Sequence, residues 1–129
     1  MQKSVTKYFN AANTAIQTGG FINANGKIPS AYKGAISSFG ASIVMSGLIP
    51  TIQFYLADSE NRLTDSRKIV DAIAKTINPL TGTPEILQQN ILMLNQGNNR
   101  SGLFILKKQI IDAAIALKIM MRTYQFESE

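Results

Sequence analysis

The sequence contains no cysteine and no histidine. Without cysteine it forms neither a disulfide nor a thiolate metal site, so the redox compartment is not constrained. Without histidine it lacks the commonest general base and metal ligand, and an ordinary Ser-His-Asp triad is excluded. Its carboxylates are mostly scattered singly, and the pair Asp58 and Glu60 falls in a predicted loop. The sequence therefore favours a protein that is not an enzyme, with no catalytic residue, cofactor, metal site or small-molecule substrate.

A long uncharged apolar run is also missing. A membrane-spanning helix needs about 20 predominantly apolar residues, and the nearest stretch, from Ala35 to Leu56, is diluted by serine, threonine and glutamine and interrupted by Pro50. The N-terminal residues MQKSVTKYF show no apolar segment followed by a small-residue cleavage site. We therefore expect a soluble, cytoplasmic protein that makes no membrane contact.

Basic residues outnumber acidic ones, with 13 Lys and Arg against eight Asp and Glu and a formal charge of +5. A small basic protein favours polyanionic partners such as nucleic acid, because its surface attracts phosphate. The chain has 129 residues, a length typical of one domain, and we expect residues 1–129 to form a single helical domain.

Apolar residues recur at three- and four-residue spacing along most of the chain, which is the pattern of amphipathic helices. No segment alternates as a strand would. The predicted helices span Ser4–Gln17, Ala31–Met45, Leu48–Leu56, a segment capped by Thr64 or Asp65 and ending at Ile77, a segment from Thr83 to about Gly97, and Leu103–Phe126. The sequence thus predicts an all-α fold, a compact bundle of five or six helices with a long C-terminal helix.

The stretch from Lys27 to Ala57 predicts two helices broken at Ser46-Gly47. The first has an apolar face and an opposite face of glycine, alanine and serine. Gly40 costs a helix about 1 kcal/mol relative to alanine, so we interpret this small-residue face as a place where another backbone packs closely. The second helix, Leu48–Leu56, is almost wholly apolar and is expected to lie centrally.

Lys107, Lys118 and Arg122 are predicted to lie within about 60° of each other around the last helix. Lys68 and Lys33 are further candidates for contact with a phosphate backbone. Two interpretations remain open: a solvated helix face, which is the commoner meaning of each cluster alone, or a phosphate-binding surface built from several clusters. The broad apolar arcs of the predicted third and last helices add a third feature, which favours a protein interface.

The residues from Tyr32 onward resemble the fifth Cmr protein, the small helical subunit of the type III-B CRISPR (Cmr) RNA-targeting effector complex. That family places a tyrosine near the start of its second helix, then an apolar segment, Gly-Leu, a spacer and an apolar-Phe-Leu stretch. The matching residues here are Tyr32, Ile36 to Met45, Gly47-Leu48, and Phe54 with Leu56. The long last helix is similar too, with Lys118, Arg122 and Tyr124. Two departures are Pro50 after Gly-Leu and the absence of a tryptophan near Ile119 or Met120.

This resemblance implies a non-catalytic subunit that stacks in a short filament beside the backbone subunits. The implied partners are the other effector subunits, backbone and large, copies of the same chain, and guide and target RNA, in antiviral defence. Among the five candidate RNA-binding residues the family pattern supports Arg122, and Lys107, Lys118, Lys68 and Lys33 rest on charge geometry.

Two rival functions stay open at the level of sequence. One is a helical adaptor that binds another protein through its apolar face and never contacts nucleic acid. The other is a small enzyme that uses lysine and carboxylates, to which nothing in the sequence points.

Overall fold

A computed structural model describes residues 3–57 and 66–127 of the chain. The predicted loop from Asp58 to Leu63 and the predicted cap at Thr64 or Asp65 lie outside these residues. The described chain is essentially all-helical, which confirms the predicted fold class. Its elements are α1 Lys3–Thr6, α2 Phe9–Thr18, β1 Ile28–Pro29, α3 Ala31–Ser46, α4 Leu48–Leu56, α5 Ser66–Ile77, α6 Pro84–Gln96, α7 Arg100–Met121 and β2 Phe126–Glu127.

The long helix α7 forms the centre of the bundle and contacts α1, α2, α3, α5 and α6. Its inward face is unusually rich in alanine. These small side chains let the surrounding helices approach α7 closely, and the larger side chains of those helices fill the space between them. The buried residues of this helix are Ile110, Asp112, Ala113, Ala114, Ala116, Leu117 and Met121. Burial of the apolar members is the main stabilising contribution, at about 25 cal/mol per Å² removed from water.

The predicted break at Gly47 is confirmed. Gly47 has φ 98°, a left-handed conformation that favours glycine, and it both ends α3 and precedes α4. The two helices are then tied side by side, because the Tyr55 hydroxyl donates to the carbonyl oxygen of Ala35 at 2.8 Å. The break therefore folds α4 back against α3.

The predicted start at Thr83 is also confirmed. The Thr83 hydroxyl oxygen accepts from the backbone N–H of Ile86 at 3.1 Å, and Pro84 occupies the first helical position. This arrangement satisfies one of the N–H groups that a helix start leaves unpaired.

The predicted bounds of two helices are wrong. The segment Ser4–Gln17 is not one helix, because Tyr8 N–H bonds to Val5 O at 3.0 Å in a tighter turn that separates α1 from α2 and brings both side chains into the core. The last helix begins at Arg100, where Asn99 caps it, and ends at Met121 rather than Phe126.

The expectation that no strand forms is corrected by a short parallel pairing of β1 with β2. The Ile28 N–H donates to Gln125 O and the Ser30 N–H donates to Glu127 O, both at 2.9 Å. Residues after Met121 leave the helix because their backbone groups find these partners in the segment before α3. This pairing places the C-terminal segment at the N-terminal end of α3.

Two packing expectations for the Lys27–Ala57 stretch are also corrected. A Cβ at Gly34 or Gly40 would meet no heavy atom of a neighbouring described element within 4 Å, so these two glycines of the small-residue face do not contact another backbone among the described residues. Phe54 is 61% exposed rather than central. The reason is that α4 already buries Leu48, Ile52 and Tyr55 on its opposite side.

Candidate nucleic-acid interface

Carboxylates are few among the described residues, and each has a partner. Arg67 pairs with Glu85 at 3.3 Å, Lys75 pairs with Asp71, and Lys108 lies 3.9 Å from the buried Asp112. Glu127 accepts hydrogen bonds from the side-chain amides of Asn23 and Asn25. The remaining basic residues of the described chain therefore dominate its surface potential.

The N-terminal end of α3 collects several basic residues. Lys33 is exposed on the first turn of α3, with its Nζ 5.7 Å from the ring centre of Phe126. The pairing of β1 with β2 brings Phe126 there, and Arg122 precedes it by one short turn. Lys27, half-buried, comes directly before β1.

Lys68 reaches the same end from α5. Its Nζ donates to the carbonyl oxygen of Gly20 at 3.0 Å and lies 5.9 Å from the ring centre of Tyr32. Lys68 therefore links α5 to the loop before β1 as well as adding positive charge. Asp71, in the next turn of α5, pairs with Lys75.

We call Lys27, Lys33, Lys68, Lys118 and Arg122 the basic end. Lys118 belongs to it because it lies one turn before Arg122 on the same side of α7. Sequence reasoning missed Lys27, since a residue outside any helix gives no periodic pattern and only the strand pairing places it beside the others.

Lys107 does not join this group. It lies about 16 Å from Lys118 along the axis of α7, at 1.5 Å per residue. It is half-buried and lines an apolar groove between α4 and α7. The sequence predicted that Lys107, Lys118 and Arg122 form one cluster because they share one side of the last helix. In the structure Lys118 and Arg122 belong to the basic end, whereas Lys107 lines a separate groove.

Tyr8 is a buried titratable residue whose pKa is shifted. Burial raises the pKa of its phenol, and the nearby Asp112 carboxylate raises that pKa further. The phenol is therefore neutral at physiological pH and serves packing. Among residues 3–57 and 66–127, no three carboxylates gather to hold a metal ion. No helix within these ranges is long and apolar enough to cross a membrane.

These features define a class of small, all-helical proteins with a basic end and few carboxylates among the residues that the structure describes. Comparison with protein-family profiles matches residues 2–123 to the family described as CRISPR-associated protein (Cas_Cmr5). The chain belongs to this family, as its resemblance to the fifth Cmr protein indicated. Comparisons with curated proteins and with solved structures gave no significant match.

Proposed function

We propose that this protein is the non-catalytic small subunit of a type III-B CRISPR effector complex that acts in the cytoplasm in antiviral defence. The observation that carries the proposal is the family match over residues 2–123. In this proposal the chain stacks beside the backbone subunits, contacts the large subunit and copies of itself, and helps to hold the duplex of guide and target RNA.

The basic end is the proposed RNA-contacting surface. Lys33 and Arg122 are exposed, and Lys27, Lys68 and Lys118 are half-buried, so their charged groups are held by ordered elements. Lysine and arginine bind phosphate independently of base identity, as a subunit that holds varied guide sequences requires. This proposal retains Lys33, Lys68, Lys118 and Arg122 as candidates and adds Lys27.

The test uses the assembled effector with RNA. We expect Lys118→Glu combined with Arg122→Glu to lower RNA affinity and to reduce the slope of log affinity against log salt by roughly two, since each lost phosphate contact lowers it by about one. The control is Lys3→Glu, a charge reversal at an exposed residue of α1 outside the basic end. An unchanged affinity and an unchanged slope in the double variant would remove the basic end from the RNA surface.

A helical adaptor without nucleic-acid contact remains the second candidate. It is favoured by the large exposed side chains Val44, Met45 and Phe104, which are 71%, 87% and 69% exposed. The same experiment distinguishes the two functions. If the protein is an adaptor, variants with basic-end substitutions join the complex normally and RNA binding is unaffected.

A further inference from the structure

An apolar groove lies between the start of α4 and the start of α7. Its volume is about 280 Å³. The residues that line it, which define the α4–α7 groove, are Leu48, Ile49, Pro50, Leu103, Phe104 and Lys107. Ile49 also lines the neighbouring depression toward α6, beside Ile91 and Leu92, so the apolar surface continues across α4.

Phe104 is the main exposed side chain of this groove. It is 69% exposed, although phenylalanine is among the residues most often buried. Val44 and Met45, at the end of α3 next to α4, are exposed as well. Exposed apolar side chains of this kind are typical of a protein-binding site.

The charges around the groove indicate what kind of partner binds there. Lys107 lines the groove, and Arg100 lies two turns earlier within about 20° of it around α7, at 100° per residue. Phe104 therefore lies between two cations. The parts of the two helices that build the groove contribute no carboxylate, because residues 48–56 of α4 and residues 100–111 of α7 contain neither Asp nor Glu. The complementary partner is apolar in the middle and acidic at its edges.

We propose that the α4–α7 groove binds an acidic, apolar segment of another protein subunit. Its apolar side chains cover Phe104, and its carboxylates pair with Lys107 and Arg100. This inference rests on the proposed function, since the partner is a subunit of the same assembled effector.

The proposal gives Lys107 a role different from that of Lys118 and Arg122. A phosphate backbone offers charge without an apolar surface, so it would leave Ile49, Leu103 and Phe104 uncovered. In a second copy of this chain, the carboxylates of residues 3–57 and 66–127 are already engaged with Arg67, Lys75, Lys108 and the asparagines near β1, and the test below distinguishes a second copy from a different protein. A carboxylate-bearing segment of a different protein satisfies both features of the site.

Site-specific cross-linking in the complete effector tests this inference. Phe104→p-benzoylphenylalanine places a photoreactive group in the groove, and Ile115→p-benzoylphenylalanine is the matched control. Ile115 is 41% exposed and lies within about 20° of Phe104 around α7 but about 16 Å further along. After irradiation, mass spectrometry identifies the attached peptide.

We expect position 104, and not position 115, to attach to one segment of another subunit that contains both apolar residues and carboxylates. Attachment to RNA, to a second copy of this chain or to a segment without carboxylates would overturn the inference. An absence of cross-links in a complex that contains the chain would also overturn the inference. That result would not contradict the proposed function. Failure of the chain to co-purify with the other subunits would instead overturn the proposed function, and this inference with it.

Competition for incorporation tests the charge pairing separately. When tagged wild-type and variant chains compete for the complex, we expect Phe104→Ala and Lys107→Glu each to be disfavoured about tenfold, as for residues central to an interface. Lys107→Arg should compete normally, and lysine substituted for the cross-linked carboxylate should rescue Lys107→Glu. Equal incorporation of both variants would overturn the inference. Unchanged thermal unfolding of the variants excludes loss of folding as the cause.

Discussion

Ser42 and Thr51 join α3 to α4 through their hydroxyl oxygens, which lie 2.8 Å apart across the break at Gly47. Thr51 is 1% exposed, so its hydroxyl has no access to water. We expect Thr51→Val to lower the free energy of unfolding by about 1–2 kcal/mol, because it leaves the Ser42 hydroxyl without this partner. Urea denaturation measures the change.

The double variant Ser42→Ala/Thr51→Val provides a check on this explanation. Removing both hydroxyls leaves no unsatisfied group, so its destabilisation should be smaller than the sum of the two single changes. Ser38→Ala, on the exposed side of α3, is the control and should stay within about 0.5 kcal/mol of wild type. Additive losses would mean that the two hydroxyls do not depend on each other.

Gly82 and Gly40 should respond to alanine with opposite signs. A Cβ at Gly82 would lie 2.6 Å from the carbonyl oxygen of Asn78 and also clash with the backbone of Ala74, so we expect a loss of about 1–3 kcal/mol. Gly40 has open space, and Gly40→Ala should stabilise the isolated chain by about 1 kcal/mol, since alanine is the better helix former. Thermal or urea unfolding compares them, and a loss at both positions would contradict the geometry.

The raised pKa of Tyr8 predicts that the protein loses stability in alkaline solution. Its pKa in the folded protein is raised, chiefly by burial and further by Asp112, so folding favours the neutral phenol. That contribution is fully present below the unfolded pKa of about 10 and is lost as the pH rises through the folded value. Tyr8→Phe has no phenol to ionise.

The measurement is the free energy of unfolding of wild type and Tyr8→Phe from about pH 8 to pH 11. Wild type should lose more stability above about pH 10 than Tyr8→Phe. Deprotonation of lysine is common to both proteins and cancels in the comparison. Parallel pH profiles would show that Tyr8 does not titrate differently in the folded state.

Glu127 orders the loop before β1 through Asn23. The side-chain amide of Asn23 donates to Glu127, and the Asn23 side-chain oxygen accepts from the N–H groups of Asn25 and Lys27 at 2.9 and 3.1 Å. In Glu127→Ala we expect hydrogen exchange at these two N–H groups to accelerate roughly fivefold, for the loss of about 1 kcal/mol.

The control for this change is Glu85→Ala. It removes an exposed ion pair with Arg67, which should contribute at most about 1 kcal/mol and should not alter exchange near β1. If Glu127→Ala left the exchange of Asn25 and Lys27 unchanged, the carboxylate would have no part in ordering the loop.

The helix break at Gly47 and the cap at Thr83 were predictable because each depends on residues that are neighbours along the chain. The break between α1 and α2 was not, because it depends on Tyr8 reaching a core built by distant helices. The end of α7 was missed for the same reason, since Gln125 and Glu127 pair with a segment near residue 28. Exposure of Phe54 was also missed, because the hydrophobicity of a side chain does not reveal which side of its helix the neighbours occupy. The exposed Phe104 lies in the last helix, whose broad apolar arc had indicated a protein interface.

The sequence by itself determined the helical class, the family and the excess of positive charge, since these follow from local periodicity, residue order and composition. Only the tertiary structure decided how the cations are grouped. The strand pairing gathers Lys27, Lys33 and Arg122 at one end, whereas Lys107 lines the groove between α4 and α7. Helical phase describes one helix at a time, whereas a surface is made by several helices, and their relative positions depend on contacts between residues far apart in the chain.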